Sequence, residues 1–279
     1  MKSKSEMSAD MADQKPTQSS PRAMWKGIVE GSVLGAAAMP VLTPMFYWTA
    51  RSVGKKPFVW GECMGSLGAY VSAVAPVTAV SYTCNQVMTD MVKRWQGSVT
   101  DAQSVMIAGA AGAVAGVANT PFDVVAQAKQ VGEQKVPMVE TARQVVRSNG
   151  VLAMMRGAGM GVPREALWAG AWMKGVPMVT QKLQAVGCEE NIAKLAAPMF
   201  VGSAFGLVST PMNVLRYAKQ EALTQPKMNE SYVSIMKRYG MKGLFASVLP
   251  RTATMVVGAG IFAKGAELMQ EYSPLSNKK

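Results

Sequence analysis

Uncharged apolar segments of similar length recur along the chain. Four of them contain no Asp, Glu, Lys or Arg: residues 31–50, 63–89, 102–122 and 195–215. A helix needs about 20 apolar residues to cross a hydrocarbon layer of about 30 Å, so each of these segments predicts a transmembrane helix. Two further apolar segments, 160–181 and 250–269, contain isolated charged residues.

The chain also contains an internal triplication. A glycine precedes a Thr-Pro pair at one fixed spacing in three places: Gly35 with Thr43-Pro44, Gly112 with Thr120-Pro121, and Gly202 with Thr210-Pro211. The prolines lie 77 and 90 residues apart, a period typical of a repeated structural unit. Each unit begins with a helix rich in small residues, which the proline is predicted to kink or end. Two helices per unit predict an all-α membrane protein with six transmembrane helices in three pseudo-repeats, and segments 160–181 and 250–269 complete the set.

Composition narrows the function classes. The 279 residues include no histidine, and we find no phosphate-binding loop and no nucleophile–base spacing, so neither an enzyme nor a metal or cofactor site is predicted. The net charge is +12, with basic residues gathered in connectors such as 51–56 and 143–147. Because these clusters adjoin predicted spans, they favour anionic lipid over nucleic acid as a partner. The three cysteines are predicted to be free, mostly buried thiols.

The repeats divide the chain into segments. We predict a polar leader at 1–23, repeats at 24–97, 98–186 and 187–273, and a tail at 274–279. The leader has no apolar core, so it is not a secretory signal, and its acidic residues are unlike a mitochondrial transit peptide. Its composition predicts disorder.

The motifs around the prolines resemble the signature of the mitochondrial carrier family. The second repeat has Pro121-x-Asp123 with Gln130 further on, and the third has Pro211 with Arg216 and Gln220. The segments MMRGAGMGVPREALWAGAW and LFASVLPRTATMVVGAGIF align with the same offset of 90 residues. The resemblance covers residues 24–273. It implies the six-helix carrier fold and transport by alternating access across the mitochondrial inner membrane, with the outer membrane the less favoured location.

The resemblance also implies a gate at the matrix end of a central cavity, where an acid from one repeat pairs with a base from another. When the family's gate positions are carried over to this sequence, the resemblance implies one ion pair, one apolar pair and one neutral polar pair: Asp123–Arg216, Phe46–Ala126 and Thr49–Asn213. Loss of both partners together avoids an uncompensated buried charge. The ion pair is either a working gate or a structural pair at a helix bend. At the opposite gate the matching positions keep one charge, Glu267.

Substrate contacts are predicted from charges within the spans. Arg164 and Glu165 fall inside a predicted span, where ionisable residues indicate a functional site. The resemblance places them at a midcavity contact point, where Arg would bind a carboxylate through two hydrogen bonds and Glu would bind an ammonium group. The alternative is a neutralising structural pair. The sixth helix offers Thr254 at the next contact point, with Arg251 one turn earlier as a substitute base.

A lipid site is predicted at Arg156-Gly157. This pair resembles the family's basic-Gly turn, where helix N-termini attract the phosphates of a cardiolipin-like lipid.

Two functions remain open. The protein is either a carrier of a small zwitterionic or anionic metabolite, or a non-transporting carrier-fold subunit of a large inner-membrane assembly such as a respiratory complex.

Overall fold

The computed structural model describes residues 21–131, 136–221, 223 and 230–272. Most of the predicted leader and the whole predicted tail, residues 1–20 and 274–279, therefore lie outside the described residues. Within those ranges the regular structure is entirely helical. The α-helices are α1 Pro21–Val53, α2 Leu67–Gln96, α3 Asp101–Val131, α4 Met138–Asn149, α5 Ala158–Gly170, α6 Val176–Ala185, α7 Glu190–Glu221, α8 Tyr232–Leu244 and α9 Val248–Tyr272.

Six long helical rods form a closed ring. Helices α5 and α6 make one rod, because the π-helical turn Ala171–Gly175 joins them with helical backbone angles on both sides. Contacts run from α1 to α2 to α3, then to the α5–α6 rod, to α7, to α9, and back to α1. The predicted weaker spans, 160–181 and 250–269, are the fourth and sixth members of this ring.

Four helices in the described part of the chain are long and apolar enough to cross a membrane. These are Met24–Val53, Leu67–Gln96, Asp101–Gln130 and Glu190–Glu221. A fifth span results if the bent pair Tyr232–Leu244 and Val248–Gly265, which meet at 73°, counts as one. The α5–α6 rod does not meet this criterion; it contains four charged residues, Arg164, Glu165, Lys174 and Lys182, and is divided by the π turn. The six-helix ring agrees with the predicted layout.

The three repeat prolines do not end their helices. Helices α1, α3 and α7 continue past Pro44, Pro121 and Pro211, so an ending at the proline is wrong. Proline removes only one backbone donor, and the segments that follow it bury most of their side chains. The preceding threonines are buried, and each hydroxyl donates to the carbonyl four residues earlier, at 2.6–2.8 Å.

Small residues set the distance between the two long helices of each repeat. A Cβ atom added at any of the three repeat glycines would lie within 3.0 Å of the partner helix: Gly35 meets Val74, Gly112 meets Glu165 and Ala169, and Gly202 meets Met255. Glycine lets helix backbones approach closely in lipid, where packing and shape drive association. The repeated glycine is therefore a packing position in all three units.

One end of the ring is densely packed. This packed end is where α1, α3 and α7 stop and α2, α5 and α9 begin. Three apolar clusters occupy it, and each includes or packs against residues of the connecting helices α4 or α8. The opposite end, here called the far end, is where α2, the α5–α6 rod and α9 stop and α3 and α7 begin.

Candidate functional site

A cavity of about 530 Å³ lies inside the ring. Its wall contains residues from all six rods, and five of them are charged: Asp123, Arg164, Glu165, Arg216 and Arg251. These five belong to the halves of α3, α5, α7 and α9 nearest the packed end. The cavity therefore has a charged floor next to the packed end.

An ion pair between Asp123 and Arg216 joins α3 to α7 at this floor. Arg216 is buried, and Asp123 also accepts a hydrogen bond from the Asn119 amide at 3.3 Å. Arg164 extends the pair, since its Nη2 lies 3.9 Å from Asp123 Oδ2. The amide oxygen of Asn213 accepts from Arg164 Nη1 at 3.1 Å and from Arg216 Nη2 at 3.2 Å. Three rods are thus tied together by one buried network.

Arg164 and Glu165 bind each other as well as lining the cavity. Arg164 donates to the Glu165 carboxylate, so the Arg164 guanidinium already contacts Asp123, Asn213 and Glu165. The Glu165 side chain is 23% exposed and lines the cavity. The structure joins this predicted contact point directly to the predicted gate pair. That arrangement leaves Arg164 less available to a ligand than an unpaired arginine would be.

Arg251 differs from the other two arginines. It is 4% exposed, and its buried Nε has no hydrogen-bond partner. None of the ion pairs among the described residues includes it, and its guanidinium lies 5.9 Å from the centroid of the Phe205 ring. The floor holds three guanidinium groups and two carboxylates. One positive charge, that of Arg251, is therefore uncompensated.

Above Arg251 the cavity wall is aromatic along one side. Phe205 packs against Trp168 with ring centroids 4.9 Å apart, and Trp168 packs against Trp172 at 5.0 Å. Trp172 meets the Phe262 ring edge-on at 6.4 Å. We call these four residues, which come from α5, the π turn, α7 and α9, the aromatic wall.

The predicted neutral gate pair is not formed. Thr49 is buried, but its hydroxyl donates to the Met45 carbonyl in its own helix at 2.9 Å. Asn213 uses its amide oxygen for the two arginines, because hydrogen bonds from charged donors are stronger than those from a hydroxyl. Asn213 therefore belongs to the ion-pair network, and no hydrogen bond joins it to Thr49, since its buried amide nitrogen has no partner.

The predicted apolar gate pair is bridged by an aromatic residue. Phe46 packs against Tyr70 with centroids 4.9 Å apart, and Tyr70 packs against the cluster that contains Ala126. The Tyr70 hydroxyl accepts from Gln130 at 3.1 Å. Tyr70 was not singled out from the sequence, because its position near the start of α2 matches no signature residue.

The Thr254 hydroxyl does not present a free donor to the cavity. Thr254 lines it but is fully buried, and its hydroxyl donates to the Pro250 carbonyl at 2.6 Å. The predicted substitute, Arg251, is the charged group that α9 contributes to this floor. The basic side chain at the floor, Arg251, therefore lies one helical turn before Thr254, the position at which the family resemblance implies a contact.

The predicted lipid turn lies at the packed end. Gly157 precedes α5 with a left-handed backbone (φ +88°), and an added Cβ would lie 3.0 Å from Arg216 Cγ. The Arg156 carbonyl accepts from Gln220 at 3.1 Å. Gly157 is therefore required by close packing against α7, and the lipid site at this turn stays a prediction.

The far end has little comparable bonding. Glu267 pairs with Lys264 of its own helix at 2.8 Å, and both side chains are about 60% exposed. Thr89 and Thr180, at the other matching gate positions, donate to carbonyls of their own helices. In the described residues, the one ion pair that joins two rods there is Lys174–Asp101, which is exposed.

Fold and cavity define a class: multi-pass helical membrane proteins built from three two-helix repeats around a central cavity with a charged floor. A family model described as mitochondrial carrier protein matches residues 97–184. The chain is 23% identical over 273 residues to the probable S-adenosylmethionine carrier 2, chloroplastic, of Arabidopsis thaliana, covering 92% of this chain and 78% of the relative. It is 23% identical over 211 residues to the mitochondrial citrate transporter D of Aspergillus niger, covering 70% and 69%.

The chain is therefore similar to mitochondrial carriers: the family model covers its second repeat, and two carriers align with most of its length. Family and relatives support transport of small-molecule solutes across a membrane, and both relatives are carriers rather than enzymes by name.

Proposed function

We propose that this protein is a carrier of the mitochondrial inner membrane that moves a small anionic or zwitterionic metabolite through the central cavity. Arg251 carries the proposal. A buried guanidinium without a carboxylate partner is costly within a membrane span, and a substrate anion would supply the missing partner. Arginine holds a carboxylate in two parallel hydrogen bonds, which adds orientation to affinity.

Glu165 would complete the site for a zwitterion. Its side chain is partly exposed and lines the same cavity as Arg251. An ammonium group near Glu165 and a carboxylate at Arg251 would leave the net charge of the floor unchanged. A simple anion would neutralise the excess positive charge instead.

The ion-pair network would act as the gate at the packed end. Asp123, Arg216 and Arg164 join three rods, so this end can open only when their contacts separate. Arg164 contacts both the gate pair and Glu165, so a ligand ammonium group at Glu165 would compete with the Arg164 guanidinium for the Glu165 carboxylate. Substrate binding would thereby displace a side chain that also contacts Asp123 and Asn213 of the gate network.

The test is uptake into liposomes by the purified full-length chain. Labelled amino acids, monocarboxylates, citrate and S-adenosylmethionine form the panel. Arg251→Gln should reduce uptake of the accepted compound at least about tenfold, because loss of a buried charged partner costs 2 kcal/mol or more. The matched control is Arg143→Gln, on the connecting helix α4, where the arginine side chain is 55% exposed. It should transport normally.

Two results would contradict the proposal. One is equal uptake by wild type and Arg251→Gln. The other is no uptake of any compound together with stoichiometric migration of the endogenous protein in a large assembly on native electrophoresis. The second result would establish the structural subunit instead.

A further inference from the structure

We propose that the cavity selects an aromatic monocarboxylate: one carboxylate bound at Arg251 and a flat aromatic ring held against the aromatic wall. This inference rests on the proposed function, since it names the substrate class of the same site. It uses features that the family signature does not contain, namely the charge balance of the floor and the rings above it.

The charge balance limits the substrate to a net charge of about −1. Three arginines face two carboxylates, and Asp123 and Glu165 already contact Arg216 and Arg164. One monoanion would neutralise the floor. A second carboxylate on the same substrate would find no unpaired cation among the described residues that line the cavity, and would have to break the gate network to gain one.

The position of the rings relative to Arg251 specifies the body of the substrate. Phe205 lies beside the Arg251 guanidinium, and Trp168 lies beside Phe205. A carboxylate bound at Arg251 therefore places the attached carbon skeleton next to these two rings. Phe262, eleven residues after Arg251 on α9, is about 16 Å further along the helix axis, so the wall continues well beyond a single ring.

The rings are available to a ligand. Phe205 is buried, but Trp168, Trp172 and Phe262 are only half-buried although all of them border the cavity. If these rings served packing alone, neighbouring side chains would cover both faces of each ring. Aromatic rings prefer offset-stacked or edge-to-face partners, and such pairs gain about 0.5–1.5 kcal/mol beyond burial of area.

The facing wall is mostly aliphatic and adaptable, with Tyr70, Thr78, Ser81 and Tyr82 among its polar members. Helices α1, α2 and α9 contribute small, aliphatic and methionine side chains to the lining, among them Leu34, Met39, Leu42, Val74, Val77 and Met255. Methionine sulfur contacts aromatic rings favourably, and the flexible methionine side chain adjusts to irregular shapes. A flat ring can therefore lie between the aromatic wall and a soft aliphatic surface.

The experiment measures equilibrium binding to the full-length chain in mild detergent, by dialysis against labelled probes. The four probes are 3-phenylpropanoate, 3-cyclohexylpropanoate, benzylmalonate and 3-phenylpropylamine. We expect 3-phenylpropanoate to bind about 2- to 10-fold more tightly than its cyclohexyl analogue, which has similar size but no aromatic face. Benzylmalonate, which adds a second carboxylate, should bind more weakly, and the cationic amine should not compete.

Variants locate the ring site. Trp172→Leu should reduce the preference for phenyl over cyclohexyl and leave the binding of the cyclohexyl acid nearly unchanged. Trp95→Leu is the matched control, since Trp95 is 86% exposed at the end of α2, and it should keep the preference. If Trp172→Leu melts at a much lower temperature than wild type, Trp172→Met replaces it, since the flexible methionine side chain fills irregular gaps better than leucine.

The outcomes separate this inference from the proposed function. Equal binding of the phenyl and cyclohexyl acids, or tighter binding of benzylmalonate, overturns the aromatic monocarboxylate, while Arg251-dependent uptake of another anion would leave the carrier intact. Loss of the phenyl preference in Trp95→Leu as well would also overturn it. Absence of carboxylate binding together with absence of uptake refutes both.

Discussion

The two ends of the helix ring are held together in different ways. At the packed end, buried side chains from different rods bind one another, as in the network of Asp123, Arg164, Asn213 and Arg216. At the far end the ion pair of Glu267 is exposed and joins residues of one helix. Exposed ion pairs contribute little to stability, whereas breaking a buried pair is costly. The structure is therefore locked at one end and weakly held at the other.

The three connectors at the packed end also differ from one another. The second and third repeats join their long helices through the helices α4 and α8. The first repeat has a short 3-10 turn, Trp60–Glu62, in that place. Its connector is fixed by side chains instead: Arg51 and the Tyr47 hydroxyl both bind the Glu62 carboxylate, the hydroxyl at 2.9 Å. Glycine and proline in residues 54–66 disfavour a helix there.

The largest expected effect is removal of the charge at the centre of the packed end. Asp123→Asn leaves Arg216 buried without an anionic partner, which should destabilise the protein by about 3–5 kcal/mol. Thermal unfolding can be followed with a thiol-reactive dye, because Cys63 is free and 4% exposed. Glu189→Gln, an exposed position at the far end, should unfold like wild type.

A double variant tests whether the pair acts as a unit. Asp123→Asn combined with Arg216→Gln should cost less than the sum of the two single changes, since each single change leaves a partner uncompensated. Additive costs would show that the two side chains are independent, and the contrast between the ends would then not depend on this ion pair.

The second effect compares two glycines with nearly the same positive φ angle. Gly157 at the packed end and Gly187 at the far end have φ values of +88° and +89°, so alanine at either should cost about 1–2 kcal/mol through the backbone. At Gly157 the new Cβ would also lie 3.0 Å from Arg216, while nothing lies within 4 Å at Gly187. Gly157→Ala should therefore cost about 1–3 kcal/mol more, measured by the same dye assay. Equal melting temperatures would refute crowding at the packed end.

Much of the fold could be predicted from the sequence because its signals are local. Uncharged segments predicted four spans, and the repeat supplied the two that contain charges. The continuation of α1, α3 and α7 past their prolines was not predictable in this way. It depends on burial of the segments that follow, and burial is a property of the assembled ring.

The site was predicted less completely. Position in the repeat identified Asp123 and Arg216, which do meet, and singled out Arg251 as a charge near the cavity. Two features depend on three-dimensional neighbours and had no sequence signal. One is the lack of a partner for Arg251. The other is that the Asn213 amide oxygen accepts hydrogen bonds from two arginines and not from Thr49. The aromatic wall was also missed, since its four residues come from distant parts of the chain and only the fold brings their rings together.

The smallest effect is expected at the far end, from Glu267→Gln. Glu267 lies near the C-terminal end of α9, Val248–Tyr272, and it pairs with Lys264 at three residues' distance with both side chains exposed. The change should cost no more than about 0.5 kcal/mol. Glu62→Gln is the matched change at the packed end, where the carboxylate binds Arg51 and Tyr47, and it should lower the melting temperature clearly more. A costly Glu267→Gln would mean that the far end is also locked, and a ring locked at both ends could not alternate access to its cavity.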